Sequence, residues 1–174
     1  MGTSYMNILL LHNYYQQPGG EDEVFGAEKA LLERAGHQVL TYERHNAEIK
    51  AYSLAEKPGL LKRTLWAKDS AWAIRDILKR ECPDVAHFHN TFLLISPSAY
   101  YACREVGVPV VQTLHNYRLL CPGAQFLRDA RVCEYCVGKT IPWPAMVHGC
   151  WRNSRVQTSV VMAMLASHRL LGTW

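Results

Sequence analysis

An α/β protein is what this sequence predicts, a parallel sheet with helices packed on both faces. Three observations predict it. Short apolar runs alternate along the chain with stretches that are apolar at helical spacing. The first run, Asn7–His12, is almost unbroken, as in a strand covered on both sides. A Pro18-Gly19-Gly20 turn then leads from that run straight into a helical pattern.

The elements follow in order. The first helix begins near Glu21, with Val24, Ala27, Leu31 and Ala35 on one side, and Gly36 ends it. Glu21, Asp22 and Glu23 suit its first turn, where carboxylates meet the positive end of the helix dipole. His37–Tyr42 reads as the second strand, which completes a βαβ opening. Arg44–Gly59 is polar and irregular and reads as a loop. Leu61, Leu65, Trp66, Ala73 and Ile77 mark one helix running through to Arg80, with Pro83 beyond it. Asp84–Asn90 is the third strand. Ser96 as N-cap and Pro97 at the first helical position open the next helix, which Gly107 ends. Val108–Leu114 is the fourth strand, expected to be central. From Asn116 to Asn153 the pattern breaks, with Pro122, Pro142, Pro144 and four cysteines and no periodicity. A loop that long needs something to pin it. A last helix runs from about Asn153 to Leu171.

Composition narrows the function. The 174 residues are 49% hydrophobic and 20% charged, enough for one folded domain. A net charge of +4 is too small to argue for nucleic acid, although no acidic residue follows Glu134 and four basic ones do. No apolar run reaches the length of a membrane span, and the start lacks a secretory pattern. Met6 reads as the natural start and a cytoplasmic location as the expectation. In that setting six cysteines point to thiols or metal ligands before disulfides.

Three strand ends carry polar residues: His12-Asn13, His87/His89-Asn90 and His115-Asn116. Ligands of parallel sheets collect at such carboxyl ends. His87 and His89 share one face of their strand. His87, one step deeper, reads as a hydrogen-bonded core residue, and His89 and His115 as the stronger site candidates. A metal shared by the histidines lacks a carboxylate in the pattern. The Gly19-Gly20 turn is neither a dinucleotide fingerprint nor a P-loop, and the acidic triplet after it would repel a nearby phosphate. It reads as a place of close ligand approach or as a plain turn. Cys121, Cys133, Cys136 and Cys150, with one CxxC pair, fit a structural zinc site; inert buried thiols and a redox pair stay open. Trp143, Trp151 and Trp174 put apolar bulk in the basic region, suited to a peripheral membrane contact or a further domain.

The stretches HNYYQQPGGEDEVFGAEKALLERAGHQV, PDVAHFHNTFLLISPSAYYACREVGVPVVQTLHNYRLLCPG and CEYCVG resemble the amino-terminal half of a retaining glycosyltransferase of family 4. The resemblance covers nearly the whole chain. It implies a Rossmann-like domain over residues 6–174, stopping before its last strand and helix, with a cysteine-rich insertion at 117–152. It also implies a carboxy-terminal domain that binds most of a nucleotide-sugar donor, a saccharide or lipid-linked acceptor held on this side, and no catalytic metal. By position, His115 matches the histidine that contacts the transferred sugar, and Gly19 and Gly20 the loop facing donor diphosphate and acceptor. His89, Asn90 and Asn116 match the polar strand ends. Alone, the chain is expected to be inactive, at work on the inner face of the membrane when joined to its partner domain. The competing expectation is a non-catalytic α/β binding or regulatory module organised by a four-cysteine metal site.

Overall fold

Leu9, Leu10 and Leu11 are wholly buried in β1 (Asn7–Tyr14), on both of its faces, which is why this strand takes the interior of the sheet. The computed structural model describes residues 5–51 and 57–174. In it β1 is flanked by β2 (Gln38–His45) and β3 (Val85–Phe88), with β4 (Val110–Gln112) beyond β3. The order is β2-β1-β3-β4 and every pair is parallel. The chain divides into two compact units, one ending at His115 and the other beginning at Asn116.

In the first unit the pleat sorts the side chains into two layers. Leu9, Leu11, Ala86 and Phe88 pack on one face with Ile74 and Leu78 of α3 (Lys68–Glu81) and Ala99, Ala102 and Cys103 of α4 (Ser98–Val106). Ile8 and Leu10 face the other way, against Phe25 of α1 (Gly20–Arg34). Helices thus cover both faces, as expected of the α/β class.

Several expectations need correction. The inward side of α1 is not Val24, Ala27, Leu31 and Ala35. Val24 and Leu31 are 45% and 58% exposed, and Phe25 is the residue buried. Phe25 packs with Ile8 and Leu10 of β1, and the helix is rotated to bury this one aromatic ring. The single helix expected through Arg80 is two, α2 (Lys57–Leu65) and α3, parted at Trp66-Ala67. There Ser96 Oγ accepts the Ala67 N–H at 2.9 Å and takes over a bond the helix would have made. Ser96 itself sits at φ 58, and α4 starts one residue later than expected, with Pro97 in the N-cap place. The fourth strand is the edge of this sheet, not a central member. The loop expected at Arg44–Gly59 begins as the end of β2 and a 3-10 turn at Asn46–Ala51; part of it lies outside the described residues.

The second unit carries more order than its sequence promised. A two-residue hairpin pairs β5 (Leu127–Arg128) with β6 (Arg131–Val132), and a short helix α5 (Trp143–His148) precedes α6 (Arg155–Leu170). Ser154 caps α6, its side chain accepting the Gln157 N–H. Arg169 of α6 donates to the carbonyls of Leu119 and Lys139, tying the cysteine-rich segment to the helix at two points.

Two stability outcomes follow. The buried Asn13 side chain donates to Phe92 O at 2.6 Å and accepts from Leu94 N–H at 3.3 Å. Asn13→Ala should therefore lower the unfolding free energy by about 2 kcal/mol in urea titration, by leaving backbone groups unpaired. The hairpin turn holds Asp129 and Ala130 at φ 51 and 58. Ala130→Gly should raise stability by about 1 kcal/mol in the same assay, since glycine takes that conformation without a Cβ penalty.

Candidate functional site

The parallel strands of the first unit end on one side, and the face looking at α1 carries His12, His87 and His89 by simple alternation. Above them α1 presents Asp22, Phe25 and Glu28, spaced three apart and so stacked along one stripe. Each carboxylate takes an imidazole. Asp22 Oδ1 lies 2.7 Å from His12 Nε2, while its Oδ2 accepts the Gly19 N–H at 3.0 Å. Glu28 Oε1 is 2.8 Å from His87 Nδ1, and its Oε2 is 3.5 Å from His89 Nε2. Phe25 sits between, stacked on His12 at 4.7 Å and edge-on to His89 at 5.3 Å.

A chain of imidazoles leads outward from Glu28. His89 is buried at 2% exposure. Its Nδ1 lies 3.1 Å from His115 Nε2, with the ring planes 25° apart and centroids at 5.2 Å, so the two rings meet edge to edge. The network assigns the protons. His89 Nε2 makes no hydrogen bond; the Glu28 carboxylate stands 3.5 Å from it, and a proton on Nε2 faces that charge more favourably than a lone pair would. With Nε2 protonated, His89 Nδ1 must accept, so His115 Nε2–H donates and His115 Nδ1 is left bare. The half-buried His115 thereby presents a hydrogen-bond acceptor at its outer nitrogen. His87 is fixed likewise, Nδ1–H to Glu28 and Nε2 accepting from Thr113 Oγ at 2.8 Å.

Burial pushes His89 down to about 3, with His87, His115 and His12 adding like-charge repulsion. His115 is also lowered, first by burial, although Glu21 and Glu28 pull the other way. Both rings are therefore neutral at neutral pH. Glu28, His87 and His89 also bring one ligand atom each within 4.8 Å of one another. The carboxylate that the sequence pattern lacked for a metal comes from α1, but its oxygens already face the two imidazoles.

Other expected residues fall differently. His87 is the more exposed of its pair and His89 the deeper one, the reverse of the expected order. The strand is short, and the Leu11 carbonyl still holds the His89 N–H at 2.9 Å, so position 89 is sheet interior. Asn90 is held inward: its amide donates to Asn13 O at 2.6 Å and its oxygen accepts the Phe92 N–H. Gly19 gives its N–H to Asp22, which leaves it little for a phosphate. A Cβ on Gly20 would meet no atom of the chain within 4 Å, so open space lies over that residue. In the second unit Asn116 accepts the Arg118 N–H in a local turn. Cys136 and Cys150 are raised by burial, the opposite of an activated redox thiol. Asp22 and Glu28 escaped sequence reasoning, although carboxylates three residues either side of an aromatic were the available signal.

A family model described as Glycosyltransferase Family 4 matches residues 29–158, well over half of the chain. His87, His89, Asn90, His115, Asn116 and the four cysteines fall inside the match; His12, the glycine pair, Asp22 and Glu28 precede it. No curated protein and no solved structure matches the chain.

The pH dependence of folding has a definite sign. Because native His89 resists protonation, the unfolded chain binds more protons between about pH 3 and the ordinary histidine value near 6.5. Its contribution to stability is complete above about 6.5 and is lost as pH falls through that window. Urea titrations across the window should show a steeper acid loss for the wild type than for His89→Gln; equal slopes would refute the assignment.

Proposed function

Because the chain belongs to glycosyltransferase family 4, we propose that it is the acceptor-side half of a retaining glycosyltransferase. Its partner is a carboxy-terminal domain that holds most of a nucleotide-sugar donor. The acceptor is a saccharide or a lipid-linked saccharide. The observation that carries this reading is the run from the Glu28 carboxylate past His89 to His115 beyond a strand tip, where ligands of parallel sheets gather.

His115 takes the central role. Its bare Nδ1 accepts from a sugar hydroxyl and so orients the sugar for transfer. A neutral imidazole is a better acceptor than an imidazolium, and burial keeps this one neutral. As positive charge develops on the sugar in an oxocarbenium-like transition state, a fixed lone pair stabilises it without reorganising. His89 and Glu28 act through His115, holding its tautomer and ring plane. Gly20 keeps open space beside the start of α1 for a close ligand. No metal is needed for this step.

Among the described residues no helix is long and apolar enough to cross a membrane. For a lipid-linked acceptor, contact at the inner membrane face falls to the second unit. There a groove of about 380 Å³ is lined by Met146, Val147, Val156 and Arg155, apolar side chains beside a cation. The alternative, a non-catalytic module organised by a four-cysteine metal site, draws on the cysteines alone and gives the imidazole chain no task.

Saccharide binding tests the reading. A panel of sugars titrated into the chain should perturb the His115 resonances, and His115→Ala should weaken the best binder tenfold or more. A panel that binds wild type and variant equally would sink the assignment. Without a donor domain the chain should turn over no nucleotide sugar, and measurable transfer would contradict the division of labour. Gly20→Ala separates folding from binding: the added methyl meets nothing in the chain and favours the helix. Stability should hold or rise while sugar affinity falls.

A further inference from the structure

Glu28, His87 and His89 brace His115 in the proposed transfer step, yet they also converge as a donor set of their own. His87 and His89 are two positions apart at the end of β3, so both rings face α1. Glu28 comes down on them from α1, whose rotation the burial of Phe25 holds. One ligand atom from each of the three lies within 4.8 Å of the other two.

Two further observations point to an ion. The first is His89 Nε2. It is buried without a hydrogen bond, on a ring 2% exposed, and it looks toward Glu28 Oε2 at 3.5 Å. A bond to a metal would satisfy this nitrogen, whose burial otherwise costs free energy. The second is what the far nitrogens touch. A histidine that ligates a metal almost always donates its other N–H to a fixed acceptor. His87 Nε2 has Thr113 Oγ at 2.8 Å and His89 Nδ1 has His115 Nε2 at 3.1 Å. Both rings are thus held from behind, with the remaining nitrogen turned to the carboxylate.

The spacing suits a small divalent ion. Bonds of about 2.0–2.2 Å in a tetrahedral zinc site set neighbouring nitrogen and oxygen donors about 3.4 Å apart. His89 Nε2 and Glu28 Oε2 already stand at 3.5 Å. The His87–Glu28 contact, now 2.8 Å, has to open by about 0.6 Å. Two imidazoles and one carboxylate suit zinc better than magnesium or calcium, which take oxygen donors. His87 and Glu28 keep 14% and 27% of their side chains exposed, which gives an ion a way in and a water the fourth position.

We propose that Glu28, His87 and His89 form a zinc site whose occupation reverses the tautomer of His115. Without the ion, His87 carries its proton on Nδ1, and His89 and His115 carry theirs on Nε2. Zinc takes the lone pairs of His87 Nδ1 and His89 Nε2. The His87 proton then sits on Nε2, facing Thr113 Oγ, and the His89 proton on Nδ1, donating to His115 Nε2. His115 must in turn carry its proton on Nδ1. Each ring keeps one proton, so the three release none on binding. The outer nitrogen of His115 changes from acceptor to donor. The zinc site stands without the sugar-transfer reading; that zinc opposes sugar binding rests on it.

Zinc titrated into the chelator-treated 174-residue chain tests the proposal, followed by nitrogen-15 NMR of the histidine rings. His87 Nδ1 and His89 Nε2 should take the shifts of metal-bound nitrogens, and the His115 proton should move from Nε2 to Nδ1. These signals report this site alone, whatever the cysteines take up. His87→Gln should weaken zinc binding here tenfold or more, whereas His148→Gln, at the exposed end of α5, should change nothing. Should His87→Gln fail to fold, the wild-type ring signals decide. Rings of His87 and His89 unmoved by millimolar zinc would overturn the proposal. So would bound zinc with His115 still protonated on Nε2, or equal zinc affinity in a folded His87→Gln variant. A saccharide that binds the chelator-treated chain should bind at least tenfold more weakly once zinc fills the site. Unchanged sugar affinity beside a reversed tautomer would count against the sugar role of His115 and leave the zinc site standing.

Discussion

Glu28 is the side chain on which the site of the first unit depends. One carboxylate of α1 faces His87 and His89 at the end of β3, and through His89 it governs the ring of His115. The rotation of α1 about its own axis, set by the burial of Phe25, puts that carboxylate there. Turned to bury Val24 and Leu31 instead, the helix would carry Asp22 and Glu28 away from the sheet. The buried His12 and the half-buried His87 would then lose their carboxylate partners, and the buried His89 the nearby charge of Glu28. Packing and site chemistry are therefore one constraint, since the stripe that fills the layer also holds the charges.

A second layer of polar side chains holds the loops at the strand ends. Asn13 and Asn46 both donate to Phe92 O, Asn90 bridges to β1, and Ser96 accepts the Ala67 N–H just before α3 while bonding Ser98. These side chains occupy backbone groups that would otherwise be unpaired in a buried loop. They also explain why polar residues at a strand end are ambiguous as ligands. Asn90 and His115 stand at equivalent places in the pattern, yet Asn90 is turned inward to the backbone and His115 faces outward from the imidazole chain.

The sheet was legible because its evidence is local: four apolar runs, a glycine turn and a proline-marked helix start are each visible within a short window. Strand order followed less directly, and β4 lies at the edge where a central place was expected. The rotation of α1 was not legible, because periodicity offered two stripes and only the volume of Phe25 chooses between them. Glu28 was hidden for the same reason, its partners lying 59 and 61 positions further along the chain. The break between α2 and α3 was hidden by a single long-range bond from Ser96 to Ala67. The cysteine spacing was plain from the start, whereas the hairpin and short helix between the cysteines have no periodic signal to read.

The central claim is that Glu28 sets the tautomer of His115 through His89. Nitrogen-15 NMR of the histidine rings reports it directly, because protonated and bare ring nitrogens have distinct shifts and couplings. At neutral pH His89 and His115 should each carry their proton on Nε2, with His115 Nδ1 bare, and Glu28→Gln should release His115 into an averaged mixture. A proton on His115 Nδ1, or a His115 spectrum that Glu28→Gln leaves untouched, would contradict the account.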